Sequence, residues 1–153
     1  MLKKIIKLSL VIVWMFLIFS FSSDTGKAST KKSDGVIIST VQFFKGRELT
    51  VKEKEKYINF LVVPVRKGAH FLVYFILAIL IISFLNEFME INKKCLFLAL
   101  FLAFLYACSD EIHQLMVAGR SGQVSDVLLD TFSAGCGIIC YRLFYKKRKE
   151  KSK

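Results

Sequence analysis

The sequence predicts an all-α fold: a polytopic membrane protein built as a four-helix transmembrane bundle with both termini in the cytoplasm. Three observations predict it. The chain has 153 residues, is 54% hydrophobic and holds a single proline, an apolar share that membrane spans require and that a soluble core of this size rarely needs. It contains four long stretches without a lysine, arginine or carboxylate, residues 8–21, 68–85, 95–109 and 131–141. Basic residues flank those stretches in a pattern that places both ends of the chain on one side.

The first helix covers about residues 5–21, opened by Lys3, Lys4 and Lys7. The stretch is similar to an uncleaved signal sequence, with an apolar run long enough to anchor. Residues 22–65 read as a polar outer loop rich in Ser, Thr and Lys, in which ELTVKEKEKYINFLVVP suggests a short amphipathic helix at the membrane surface. The second helix covers about 66–85, the third about 95–115 and the fourth about 126–145. Together they make one transmembrane domain, residues 1–145, followed by a basic cytoplasmic tail, 146–153, set against anionic inner-leaflet lipid.

A hydrocarbon core about 30 Å thick needs roughly 20 helical residues at about 1.5 Å each. The third and fourth uncharged runs are shorter than that, so both helices must recruit polar neighbours. The third takes in Asp110, Glu111, His113 and Gln114; the fourth opens on Asp126 and Asp130 and ends with Arg142 snorkelling. A charge at mid-bilayer costs about 2.5–3.5 kcal/mol, so these acids must either stay shallow or find partners inside the bundle. With both termini inside, the end of helix one, the start of helix two, the end of helix three, the loop MVAGRSGQ and the start of helix four all reach the outer face.

Helical spacing turns that convergence into candidate residues. At 100° per residue Arg66, Lys67, His70 and Tyr74 share an arc of helix two, Tyr106, Asp110, His113 and Gln114 an arc of helix three, and Asp126, Asp130, Ser133, Gly137 and Tyr141 a stripe of helix four. In lipid such polar seams turn inward, and Ser133, Ala134 and Gly137 allow close helix packing. The expected outer-face cluster is Arg66, Lys67, His70, Tyr74, Asp110, Glu111, His113, Gln114, Arg120, Asp126 and Asp130. Snorkelling ends and helix caps would account for the same residues singly, but not for their pairing across helices.

Cys95, Cys108, Cys136 and Cys140 lie in or beside apolar segments and read as packing thiols. His70 and His113 with Asp110 or Asp130 offer donors for a cation, yet no ligand spacing of a known kind accompanies them and Arg66, Lys67 and Arg120 compete; no metal and no cofactor is expected. Nucleic acid is excluded as a partner for a membrane-embedded chain, and membrane lipid is expected instead.

The segments FSFSSDTGKAS, RKGAHFLVYFILA and YACSDEIHQLMVAGRSGQVSDVLLDTFSAGCG, in this order, closely resemble the VanZ-like family of small bacterial membrane proteins. The family's characteristic positions fall on Lys67, His70 and Tyr74, on Asp110, Glu111, His113 and Gln114, and on Arg120, Asp126 and Asp130. Val73, Ala118 and Asp24 depart from the common pattern, where relatives often carry an acid, a proline and a glutamine. The resemblance implies a multi-pass protein of the bacterial plasma membrane, acting in the cell envelope, with a founding member associated with resistance to the glycopeptide teicoplanin. Some relatives are labelled phosphotransbutyrylases, but no coenzyme A site is visible in these spans.

Two function classes follow. In the first the outer-face cluster binds the headgroup of an anionic envelope lipid or lipid-linked wall precursor, with Arg66, Lys67 and Arg120 on its oxygens. In the second the chain is an intramembrane hydrolase or transferase of a lipid-linked phosphate, with Asp110 and His113 as orienter and base. Ser109, Ser121, Ser125 and Ser133 are available as nucleophiles, but none lies in a nucleophile motif, which ranks binding first and leaves catalytic residues unassigned. Oligomeric state is not encoded in any feature of the sequence.

Overall fold

The computed structural model describes residues 1–151. Among these the chain forms helices α1 (Leu2–Ser22), α2 (Gly26–Lys45), α3 (Val51–Leu85), α4 (Lys93–Leu115) and α5 (Val124–Lys151), and no strand. Of these, α1, α3, α4 and α5 are long and apolar enough to cross a membrane. The surface is inverted relative to a soluble protein. Phe16 is 67% and Phe132 65% exposed, whereas Asp110, Glu111, Gln114, Asp130 and Ser133 are buried. Lipid solvates the first pair at no cost, and only a bundle interior can hold the second group.

The expected outer loop at 22–65 is helical over most of its length. Thr25 caps α2, its hydroxyl accepting the amide of Ala28, and Gly46 closes it at φ 63°, a left-handed conformation that suits glycine. Thr50 and Glu53 form a reciprocal capping box that starts α3. The amphipathic stretch expected at the surface is continuous with the span that follows, making one helix of 35 residues with Pro64 inside it. At about 1.5 Å per residue this is roughly 50 Å, well beyond one hydrocarbon core, so α3 projects from it. Helix α5 likewise continues through the basic tail to Lys151; residues 152–153 of that tail lie outside the described residues.

Helix α3 is the hub, packed against each of the other four helices and most broadly against α5. Its buried residues Tyr74, Leu77, Ala78, Ile81 and Ile82 meet the α5 stripe Asp130, Ser133, Ala134, Gly137 and Ile138. Both repeat in alternating steps of three and one, the period of one helix face. Gly137 marks the closest approach, since a Cβ there would overlap the Phe75 carbonyl. Helix α4 brings a second small-residue seam, Cys95, Ala99, Ala103 and Ala107, each fully buried. Such residues let helix backbones approach where lipid removes the usual hydrophobic drive. One further step of four along that seam is Glu111, which is how an acid comes to face the interior.

Polar latches tie α1 to the rest. The Trp14 indole donates to the Val73 carbonyl (2.9 Å), the Tyr106 hydroxyl to the Met15 carbonyl (2.5 Å), and the Lys7 ammonium to the Ser83 carbonyl (2.9 Å) while pairing with Glu87. At the far end the turns meet backbone to backbone: the Gly26 amide donates to the Ala118 carbonyl (3.1 Å), and a Cβ on Gly26 would overlap Gly119. This contact holds the start of α2 over the loop joining α4 to α5.

Candidate functional site

The end of the bundle where α1 finishes and α5 begins collects the polar residues. Asp110 and Glu111 come from the last turns of α4, His70 and Tyr74 from the middle of α3, and Asp130 from the second turn of α5. Helix α5 is anchored there by Glu111, whose carboxylate accepts the Gln123 amide just ahead of the helix (2.8 Å), an acid at a helix N-terminus where the dipole favours it. Lys67 pairs with Asp126 (3.3 Å) at the half-exposed rim. The His70 Nδ1 stands 3.5 Å from the Asp130 carboxylate, which is completely buried.

A second set of contacts runs through Arg120 in the loop after α4. Its Nε donates to the Asp24 carbonyl (3.0 Å), one terminal nitrogen to the Phe21 carbonyl (3.0 Å) and the other to the Gln114 amide oxygen (3.2 Å); Gln114 in turn donates to Asp110 (3.2 Å). The planar fork thus caps the C-terminal end of α1 and fixes the amide that orients Asp110. Burial and then the neighbouring Arg66 charge push the Arg120 guanidinium below its ordinary pKa, because neutral acceptors satisfy its donors without cancelling its charge. Arg66 makes no ion pair among the described residues.

Two cavities flank this guanidinium. One of about 360 Å³ exposes a mainly apolar surface, with Ile18, Phe21, Val36 and Val73 on its walls and both cations (Lys32, Arg66, Arg120) and carboxylates (Asp24, Asp110) in its lining. The other, of about 540 Å³, is polar and includes Lys27, Lys31, Gln123 and Asp126. Arg66 and Arg120 line both.

The structure therefore gathers His70, Tyr74, Asp110, Glu111, Gln114 and Asp130 in the interior, sets Lys67 with Asp126 at the rim, and puts Arg66 and Arg120 between the cavities. It sets His113 apart. That ring stacks on Phe19 (centroids 4.2 Å apart) and its Nε2 lies 3.0 Å from the Ser23 hydroxyl, so it faces α1 while His70 faces α5. The two histidines of the expected cluster therefore face different neighbours, because an arc on a helical wheel does not say which helix it meets. Lys32 was not legible at all. It reaches the cavity only because α2 folds back along α3, and it pairs there with Asp24 (2.6 Å).

The sequence profile of the VanZ/LLP1 family matches residues 7–145, nearly the whole chain. The chain belongs to the VanZ/LLP1 family. No match is found among curated proteins or among solved structures. Membership in VanZ/LLP1 fits the four apolar helices. Val73, Ala118 and Asp24 each contribute a backbone carbonyl, to Trp14, Gly26 and Arg120 respectively.

Proposed function

We propose that this membrane protein binds an amphiphile with an anionic headgroup, an envelope lipid or lipid-linked wall precursor, at the outer face of the bacterial plasma membrane. One observation carries the reading: Arg66 and Arg120, neither paired with a carboxylate among the described residues, both line a cavity of mainly apolar surface and the polar one beside it. Like charges brought together are unfavourable until an anion joins them, and a phosphate or carboxylate accepts the Arg fork in two places. The apolar walls would take the first part of an acyl or prenyl chain, with Lys32 at the headgroup. The glycopeptide link of the family follows on this reading from altered access to wall precursors.

The experiment is retention of lipid by the purified protein in mild detergent, read by native mass spectrometry after exposure to phosphatidylglycerol, to undecaprenyl phosphate and to phosphatidylcholine. The expected result is retention of the two anionic amphiphiles and at least a tenfold loss in Arg66→Ala, which leaves the Arg120 contacts intact. Which of the two persists at higher collision energy separates lipid from precursor carrier. Equal retention of phosphatidylcholine, or of both anionic lipids by Arg66→Ala, would contradict the reading.

The alternative, hydrolysis or transfer on a lipid-linked phosphate, fares less well on geometry. Ser109 and Ser133 donate back to the Tyr106 and Leu129 carbonyls of their own helices, and Ser125 turns to Gln123 and Asp126. Ser23 beside His113 also bonds the Phe19 carbonyl, and no carboxylate pairs with His113 among the described residues. Asp110, His113 and a serine are therefore not seen assembled as orienter, base and nucleophile among the described residues.

A further inference from the structure

The interior end of the cluster is short of positive charge. Neither oxygen of the fully buried Asp130 has a hydrogen-bond partner, and the Glu111 Oε1 and His70 Nδ1 also lack one. The buried Tyr74 hydroxyl and Asp110 Oδ1 are likewise unpartnered. No lysine or arginine among the described residues pairs with Asp110, Glu111 or Asp130: Lys67 is taken by Asp126, and Arg120 by carbonyls and an amide. Among the described residues the His70 Nδ1 is the one basic side-chain nitrogen near Asp130, at 3.5 Å, and unpaired carboxylates in a low-dielectric interior cost several kcal/mol each, a cost that a bound cation would offset.

We propose that His70, Glu111 and Asp130 hold a divalent cation of the zinc or manganese class, one ligand from each of α3, α4 and α5. One ligand atom from each lies within 4.8 Å of the others. Tetrahedral donors at about 2.0–2.2 Å from the ion stand roughly 3.5 Å apart, a closure of about an ångström that side-chain rotation supplies. One imidazole with two carboxylates selects a borderline ion over calcium or magnesium, which prefer oxygen alone. The sequence hides this site because each helix contributes a single ligand, so no ligand spacing appears along the chain. The fold replaces His113, which faces α1, with Glu111, brought inward by the small-residue seam of α4. His70, Tyr74 and Asp110 also line the apolar cavity, so the site borders the space assigned above to an amphiphile, although it stands without that assignment.

The test uses the full-length protein in detergent, stripped with EDTA, desalted and titrated with zinc chloride or manganese chloride alone by calorimetry, with thermal unfolding followed in parallel. Wild type is expected to bind one equivalent of at least one of the two ions and to unfold several degrees higher when loaded. Asp130→Asn, which keeps the side-chain volume, and separately His70→Ala are expected to weaken binding at least tenfold. A variant with Cys95, Cys108, Cys136 and Cys140 all replaced by serine is expected to bind as wild type does, which rules out thiol capture. If Asp130→Asn fails to fold, His70→Ala decides. Stripped wild type that takes up neither ion, or His70→Ala that binds as tightly as wild type, overturns the proposal.

Discussion

Valine at position 137 is expected to unseat α5 from α3. Gly137 is buried on the stripe that carries Asp130, and a Cβ there would overlap the Phe75 carbonyl and crowd its carbonyl carbon. A backbone atom in the middle of a helix cannot rotate aside as a side chain can, so the helices must part along their broadest contact. Overpacking costs about 1–3 kcal/mol, and the upper end is expected for Gly137→Val because its branches add volume beyond the first offending atom. Gly135 supplies the control. Nothing lies within 4 Å of a Cβ at that position, and alanine in a helix interior is favoured over glycine by about 0.5–1 kcal/mol. Circular dichroism during heating in detergent should show Gly137→Val unfolding well below wild type and Gly135→Ala at or above it. Equal midpoints for the two variants would mean that α3 and α5 do not meet at Phe75.

Removing the Arg120 side chain is expected to have an effect of similar size, by releasing the end of α1. Its guanidinium reaches two carbonyls and an amide oxygen contributed by the α1 terminus, the turn behind it and α4. Hydrogen bonds with a charged donor are each worth about 1.5–3 kcal/mol. Because Arg120 is only part-buried and the three bonds are not additive, Arg120→Ala is expected to cost about 2–4 kcal/mol in all. Lysine keeps the charge but has no planar fork, so Arg120→Lys should recover less than half of the loss. Thermal unfolding, with proteolysis of the turn at residues 22–26 as a local probe, separates the cases. Full rescue by lysine would show that charge alone matters and that the fork geometry does not.

Much of this was readable in the sequence, and the unreadable parts share physical causes. Uncharged runs locate α1, α4, α5 and the later half of α3, since lipid imposes length and apolarity on any span. Helix α2 escapes such reading because its sequence is rich in Ser, Thr and Gly, residues of weak helix preference, and carries no long uncharged run. Only its punctuation, Thr25 at one end and Gly46 at the other, marks it. Pro64 reads as a boundary between surface helix and span, yet α3 runs through it. In the candidate site the helical arcs correctly turn His70, Asp110 and Asp130 inward, but facing is a property of pairs of helices. The separation of His113 from His70 and the burial of Glu111 depend on how α4 is rotated against α1 and α5. The signal that fixes this rotation is the four-residue spacing of Cys95, Ala99, Ala103 and Ala107, which reads as ordinary apolar sequence until the backbone contacts are seen.

The convergence of α3, the α4–α5 loop and α5 at one end of the bundle is tested most directly by labelling single cysteines, in a background without the native four, with a membrane-impermeant maleimide on intact cells. Gly68→Cys and Ser121→Cys are exposed near the cluster without belonging to it, and Lys94→Cys is exposed at the opposite end. The account expects the first two to react from outside and the third only after permeabilisation. Labelling of positions 68 and 121 from opposite sides of the membrane would contradict it.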